Sequence, residues 1–285
     1  MDTVILTVFN REPLLLMNTL QWLCRNDLTD TEILVVDDGS TIDYTNIQKS
    51  LHGVPIRWER IETLQEVPDC YHIDGHKNAA HANNRAIEMA RGDNLFFLSS
   101  DVMLPPHALE RAREWDLDRY PYLGSCINMH DNTVYIGEER FFPIMCFVGV
   151  SKALCERVGG FDKNLMYGMA FDDNDFMTKA ALDTGHLVLD KEVTGFHQWH
   201  PPTAYEDNFK GFRGSKAYMK KKWGGIPFDP ESEILDIRPR AVGGCIVFDV
   251  KLQEGVTIRD FDTESLTVAE KLVISDSTGG GEAAH

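Results

Sequence analysis

Glu32-Ile33-Leu34-Val35-Val36-Asp37-Asp38-Gly39-Ser40 decides the fold. Four aliphatic side chains in a row make a buried strand, and the polar and glycine residues that follow stop it in a turn. The same grammar recurs on both sides. Upstream, Thr3 to Phe9 is a short β-branched run with the length of a buried strand, and it ends at Asn10-Arg11. A helix is expected from about Pro13 to Arg25, with Leu16, Leu20 and Leu23 on one face. Downstream, Pro55 to Ile61 is a third strand and the Ala-rich stretch from Lys77 to Ala90 is helical. Gly92 is expected to close that helix in a left-handed conformation. Asn94-Leu95-Phe96-Phe97-Leu98 is a further apolar strand, ending at Ser99-Ser100-Asp101.

Strands alternating with helices over a hundred residues predict an α/β sheet with parallel strands. Ligands of such sheets bind beyond the carboxyl ends of the strands. Asn10-Arg11, Asp37-Asp38 and Ser99-Ser100-Asp101 all fall there.

The second half is less regular. Pro143 to Val150 suggests a strand, Ser151 a cap for a short helix, and Gly159-Gly160-Phe161-Asp162 a turn. A helix from Ala170 to Leu182 carries Asp172, Asp173 and Asp175 at its start. A strand pair is expected at His186 to Asp190 and Glu192 to His197, and a helix from Ala204 to Trp223. Residues 227–239 suggest a linker, Gly244 to Asp260 a hairpin and 275–285 a disordered tail.

With 45 acidic against 28 basic side chains the chain carries a formal charge of -17. That field opposes nucleic acid and anionic membrane as partners, and it suits a protein that holds a divalent cation. No apolar run approaches the ~20 residues of a membrane span, and no signal peptide precedes the first strand. Six scattered cysteines lack zinc-ligand spacing and suit a reducing compartment, so a soluble cytoplasmic protein is expected.

Each polar cluster has a chemical use. The carboxylate of Asp38 at a strand end can accept from a base or a ribose, although such residues also make ordinary turns. Asp101 follows an apolar strand, where a carboxylate-bound hard cation would neutralise a diphosphate. Three carboxylates within Asp172-Asp173-Asn174-Asp175 exceed what offsetting a helix dipole needs. Their mutual repulsion raises at least one pKa, as a general base requires. Phe196-His197-Gln198-Trp199-His200-Pro201-Pro202 closes a strand with two histidines; one of them joining Asp101 on manganese or magnesium fits better than zinc.

In this order the segments resemble the inverting family 2 glycosyltransferases and their relatives with a galactosyltransferase-type second half. The likeness spans about residues 3 to 223. It runs through Val8-Phe9-Asn10-Arg11, Val35 to Ser40, Asn84 to Gly92, Ser99-Ser100-Asp101, Gly159 to Asp162, Asp172 to Asp175 and Lys222-Trp223-Gly224. Phe196-His197-Gln198, continuing to Pro201-Pro202, is similar to the metal-histidine segment of chondroitin polymerase and the polypeptide N-acetylgalactosaminyltransferases.

The resemblance implies a GT-A, Rossmann-like fold over residues 1–226, with a mixed, mostly parallel sheet flanked by helices and a small C-terminal β extension. Residues 1–103 would form the nucleotide-binding half and 104–226 the acceptor and catalytic half. It implies a nucleotide-sugar donor, UDP-linked by expectation. Thr7, Phe9, Arg11, Asp38, Asn84, Ser99 and Ser100 would lie at the donor. Asp101 and His197 would bind Mn2+ or Mg2+. Asp173 would be the catalytic base, with Asp172 beside it. Tyr167, Trp199 and His200 are candidates to meet the acceptor, a glycan or another hydroxyl-bearing molecule. The C-terminal extension is a candidate surface for a homo-oligomer.

Two positions depart from the family pattern. Ser99 stands where the first carboxylate of the D-x-D motif is usual, and Asn83 where an arginine is usual. Lys77 or His76 are candidates to replace that arginine's charge. These departures keep open a nucleotide-sugar-binding module without catalysis. Nucleotidyl transfer, the other rival, lacks a Gly-rich phosphate loop near the first strand.

Overall fold

A computed structural model describes residues 1–62, 78–138, 141–167, 169–200, 205–256 and 258, with backbone alone for 167 and 205–211. Strand and helix alternate through its first hundred residues. The elements are β1 (Asp2–Val8), α1 (Pro13–Leu23), β2 (Thr31–Asp37), α2 (Thr45–Ser50), β3 (Ile56–Arg60), α3 (Ala80–Met89) and β4 (Asn94–Leu98). The strands lie in the order β4-β1-β2-β3, all parallel. Central strands covered on both faces must be apolar throughout, which accounts for the runs in β1, β2 and β4. Leu16, Leu20 and Leu23 of α1 are fully buried, as their spacing predicts.

Beyond β4 come β5 (Val102–Met103), α4 (Ala108–Ala112), β6 (Tyr122–Asn128), β7 (Val134–Ile136), β8 (Phe147–Ser151) and α5 (Lys152–Arg157). They are followed by α6 (Asp172–Thr184), β9 (His186–His197), α7 (Tyr205–Trp223), β10 (Leu235–Val242) and β11 (Cys245–Leu252). Among the described residues these strands extend one mixed sheet in the order β10-β11-β9-β6-β8-β4-β1-β2-β3, with β5 on β9 and β7 on β6. Ser151 caps α5 by accepting from Leu154 N, as expected.

Three expectations are corrected. Gly92 does not have the left-handed φ of a helix cap. A Cβ there would lie 2.5 Å from the backbone of Asp2 and Thr3, so close approach to β1 is what requires glycine. The strand pair at 186–197 is one strand, β9, whose register against β6 jumps from Gly124↔Asp190 to Ser125↔Thr194. Residues 191–193 bulge out, and Asp190 Oδ1 accepts from the Glu192 and Val193 N–H groups that the bulge frees (2.8 and 3.3 Å). Residues 235–242 are the first strand of the hairpin and not linker; its turn is Gly243-Gly244, both at positive φ. Pro239 is tolerated because β10 lies at the sheet edge, and β11 joins β9. Lys77, His76 and the 275–285 tail lie outside the described residues. No described helix is long and apolar enough to cross a membrane.

Candidate active site

The carboxyl ends of β1, β2 and β4 open onto a cavity of about 730 Å³. Thr7, Phe9, Arg11, Asp38, Ser99, Ser100 and Asp101 line one part of it. The β1 end is rigidly built. Asn10 takes a left-handed φ of 47° and its Oδ1 accepts from Thr41 N and Thr41 Oγ1 at 2.7 and 3.0 Å. Tyr44 then donates to the Arg11 carbonyl at 2.8 Å. This loop sends the Arg11 side chain across to the β4 end. There its Nε donates to Ser100 Oγ at 3.1 Å and its terminal nitrogen lies 3.0 Å from Asp101 Oδ2.

Pairing of β5 with β9 sets Val102 opposite His197, and Gln198 N donates to the Asp101 carbonyl at 2.9 Å. Two segments almost a hundred residues apart thereby meet at Asp101. His197 Nε2 lies 3.8 Å and His200 Nε2 3.4 Å from Asp101 Oδ2. The other carboxylate oxygen accepts from Ser99 Oγ at 2.8 Å. His200 was expected at the acceptor; the structure puts it with Asp101 and His197, and donor atoms of the three lie within 4.8 Å of one another.

The chemistry of this set fits a divalent transition metal: one buried carboxylate and two imidazoles. Asp101 is ready to ligate. Burial alone would raise its carboxyl, but the His200 hydrogen bond, the charges of Arg11 and His197 and the Ser99 hydroxyl hold it well below the usual range. Burial lowers the His197 pKa, which favours the neutral ring a ligand needs. Asn128 orients that ring: its Nδ2 donates to Thr133 Oγ1, which leaves Oδ1, 3.0 Å away, to accept from His197 Nδ1. The Nε2 lone pair is then turned towards Asp101, and Tyr135 stacks on the ring at 4.9 Å.

Across the cavity stands the start of α6. Ala170 and Phe171 both adopt left-handed φ values, 61° and 65°, immediately before Asp172. Such strain in non-glycine residues persists only where the surroundings impose it. Asn78 Nδ2 donates to Asp172 Oδ1 at 3.2 Å, and Asp173 accepts from Met145 N at 3.1 Å and Asn174 N at 2.8 Å. Burial, and then the charge of Asp173, push the Asp172 carboxyl up to about 7. Burial also raises Asp173, against those two N–H donors.

Asp175, the third carboxylate of the run, points away into the fold. It is fully buried and meets Lys222 Nζ at 2.6 Å, Trp223 Nε1 at 2.9 Å and Lys179 Nζ at 3.3 Å, pinning α7 to α6. Asn84 also departs from expectation. It does not line the cavity; its Oδ1 accepts from Phe161 N at 2.8 Å and its Nδ2 donates to Phe161 O at 2.9 Å, holding the Gly159-Gly160 turn. Asn83 lines the cavity in its place. Trp199 is 56% exposed at the cavity, near His200 in sequence. The side chain of Tyr167 lies outside what is described.

Asn78, Asn128 and Tyr135 were missed, and no local pattern marks them. His200 had a signal, its three-residue spacing from His197.

Residues 3–132 match the family model described as glycosyl transferase family 2. No curated protein matches the chain in sequence. Among solved structures, S. aureus TarS 1-349 in complex with UDP-GlcNAc is similar over 70% of this chain and 59% of that one, with 18% identity and a TM-score of 0.57. The mannosyltransferase PcManGT from Pyrobaculum calidifontis, in complex with GDP-Man and Mn2+, is similar over 76% and 60%, with 20% identity and a TM-score of 0.53. GalNAc-T7 with UDP, GalNAc and Mn2+ is similar over 78% and 50%, at 11% identity and a TM-score of 0.57. The chain thus spans about three fifths of the TarS fragment and half of the GalNAc-T7 chain. At these identities the likeness is one of fold, and that fold is GT-A.

Proposed function

For a chain whose residues 3–132 form a glycosyl transferase family 2 domain on a GT-A fold, we propose transfer of a sugar from a nucleotide-diphosphate sugar to an acceptor hydroxyl, with inversion at the anomeric carbon. One observation carries the reading: a single cavity holds the Arg11, Asp101, His197 and His200 cluster together with the raised carboxyl pair Asp172 and Asp173.

Thr7, Phe9 and Asp38 receive the nucleoside at the ends of β1 and β2. Arg11, Ser99 and Ser100 face the diphosphate. Asp101, His197 and His200 would hold Mn2+ or Mg2+, which supplies charge neutralisation to the leaving diphosphate. Asp173 takes the proton of the acceptor hydroxyl as that oxygen attacks the anomeric carbon, and the bond from the sugar to the diphosphate breaks on the opposite face. A carboxylate made more basic by burial suits the task, provided it is ionised. Asp172, bonded to Asn78 and holding its proton up to about pH 7, leaves Asp173 as the carboxylate of the pair. Trp199 offers an aromatic face to an acceptor sugar. Fixing both substrates in one cavity supplies much of the remaining acceleration.

The direct test is thermal stability with UDP, GDP, TDP and CDP, each with and without Mn2+. A ligand at a hundredfold excess over its dissociation constant stabilises by about 2.7 kcal/mol. A Mn2+-dependent rise in melting temperature with one nucleotide, lost in Asp101→Ala, is expected. Absence of a rise with every nucleotide would refute the donor site. Binding without turnover across donor and acceptor panels would favour the binding-module reading, which Ser99 and Asn83 support.

A further inference from the structure

The inference concerns Arg11 and rests on the donor-site reading above. Asp101 divides its two oxygens. Oδ1 is held by Ser99. Oδ2 is the oxygen that faces His197 and His200, and it is also the oxygen bonded to Arg11 at 3.0 Å. One buried carboxylate oxygen therefore serves two claimants, a guanidinium and a metal position. An ion seated among these donors would stand a few ångströms from a fixed positive charge, and like charges at that distance in a shielded site repel strongly. The metal centre cannot fill comfortably while Arg11 stays.

Arg11 has somewhere else to go. Its side chain is 21% exposed, on the cavity side of the loop after β1. Its planar fork matches a phosphate at least as well as a carboxylate. A diphosphate entering the cavity offers the charge that Asp101 would give up.

We propose that Arg11 is a built-in counter-cation that occupies Asp101 until a nucleotide diphosphate draws it away, so that metal and diphosphate bind cooperatively. Asp101 passes from guanidinium to metal, and the guanidinium passes from Asp101 to phosphate. Linkage makes the effect reciprocal: each ligand tightens the other by the same factor. Arg11 is thus a positioning residue for metal loading as well as a phosphate contact.

The test titrates wild type, Arg11→Met and Arg11→Lys with Mn2+, reading the free aquo-ion by electron paramagnetic resonance, first alone and then with saturating UDP or GDP. Circular dichroism establishes that each variant is folded, and Arg11→Lys supplies a second variant that keeps the charge. Without nucleotide, Arg11→Met is expected to bind Mn2+ about tenfold more tightly than wild type, and Arg11→Lys about as weakly as wild type. Nucleotide is expected to tighten Mn2+ binding about tenfold in wild type and far less in Arg11→Met. If nucleotide tightens wild type but Arg11→Met alone binds Mn2+ no better than wild type, the proposal is overturned and the donor site stands. Equal tightening by Arg11→Met and Arg11→Lys would also overturn it, since charge would not be the cause. If wild type binds no Mn2+ even with either nucleotide, both the proposal and the donor-site reading fail.

Discussion

Ser99 donates its hydroxyl to Asp101 Oδ1 across 2.8 Å, from the position where the glycosyltransferases that the sequence resembles usually carry a carboxylate. On the proposed metal site, Ser99 thus orients a ligand and does not supply one. Ser99→Ala should weaken Mn2+ binding about tenfold, the low end for losing a group that holds a ligand in place. The melting temperature without metal should hardly move. Unchanged Mn2+ affinity would show that Asp101 is oriented without Ser99.

Asn128 holds His197 from behind. With its Nδ2 engaged by Thr133, its Oδ1 fixes the proton on His197 Nδ1 and leaves Nε2 to ligate. Asn128→Ala should weaken Mn2+ binding about tenfold or more by letting the ring turn or change tautomer. Asn128→Asp should retain binding, because the acceptor remains. Calorimetric titration of both variants checks this, and equal loss in the two would contradict it.

The raised Asp172 carboxyl makes stability fall as pH rises. Unfolded, the group ionises near 3.8; folded, it holds its proton to about 7. Between those values the native state binds more protons than the unfolded state, so stability is lost through that window and the loss is complete above it. Asp172→Asn cannot ionise and still accepts from Asn78. Its stability advantage over wild type should grow from pH 5 to pH 8, by an amount on the order of 2 kcal/mol. Urea unfolding at both pH values measures it. A constant or shrinking advantage would mean that Asp172 is not held protonated.

Asp175→Ala should cost about 3 kcal/mol of stability, because it takes the carboxylate partner from the largely buried Lys179 and leaves Lys222 with Asp162 alone. Below its melting temperature the variant should still bind nucleotide. A loss of nucleotide binding in the folded variant would show that this ion cluster shapes the cavity directly.

The parts legible in the sequence were those whose cause is local. Glu32 to Ser40 and Asn94 to Asp101 announce a strand and its end because covered parallel strands need unbroken apolar runs. The turn at Gly159-Gly160 and the Ser151 cap follow from similarly local chemistry. What escaped depends on distant pairing. The contact of β5 with β9 brings His200 to Asp101, the parallel pairing of β6 with β9 sets Asn128 beside His197, and the β6–β7 hairpin carries Tyr135 onto that ring. Asp190 misled for a physical reason: a carboxylate that satisfies a bulge resembles one that ends a strand. Asn84 and Asp175 misled because a polar side chain that pins two elements carries the same letters as one that binds a ligand.

The most direct measurement of the central claim is turnover by Asp173→Asn, followed as Mn2+-dependent release of nucleoside diphosphate from whichever nucleotide sugar the wild type accepts. Loss of a base and of the geometry it enforces predicts a fall of at least about a thousandfold, with donor affinity within about twofold of wild type. Turnover close to wild type would contradict the account, and the base would have to be sought elsewhere in the cavity.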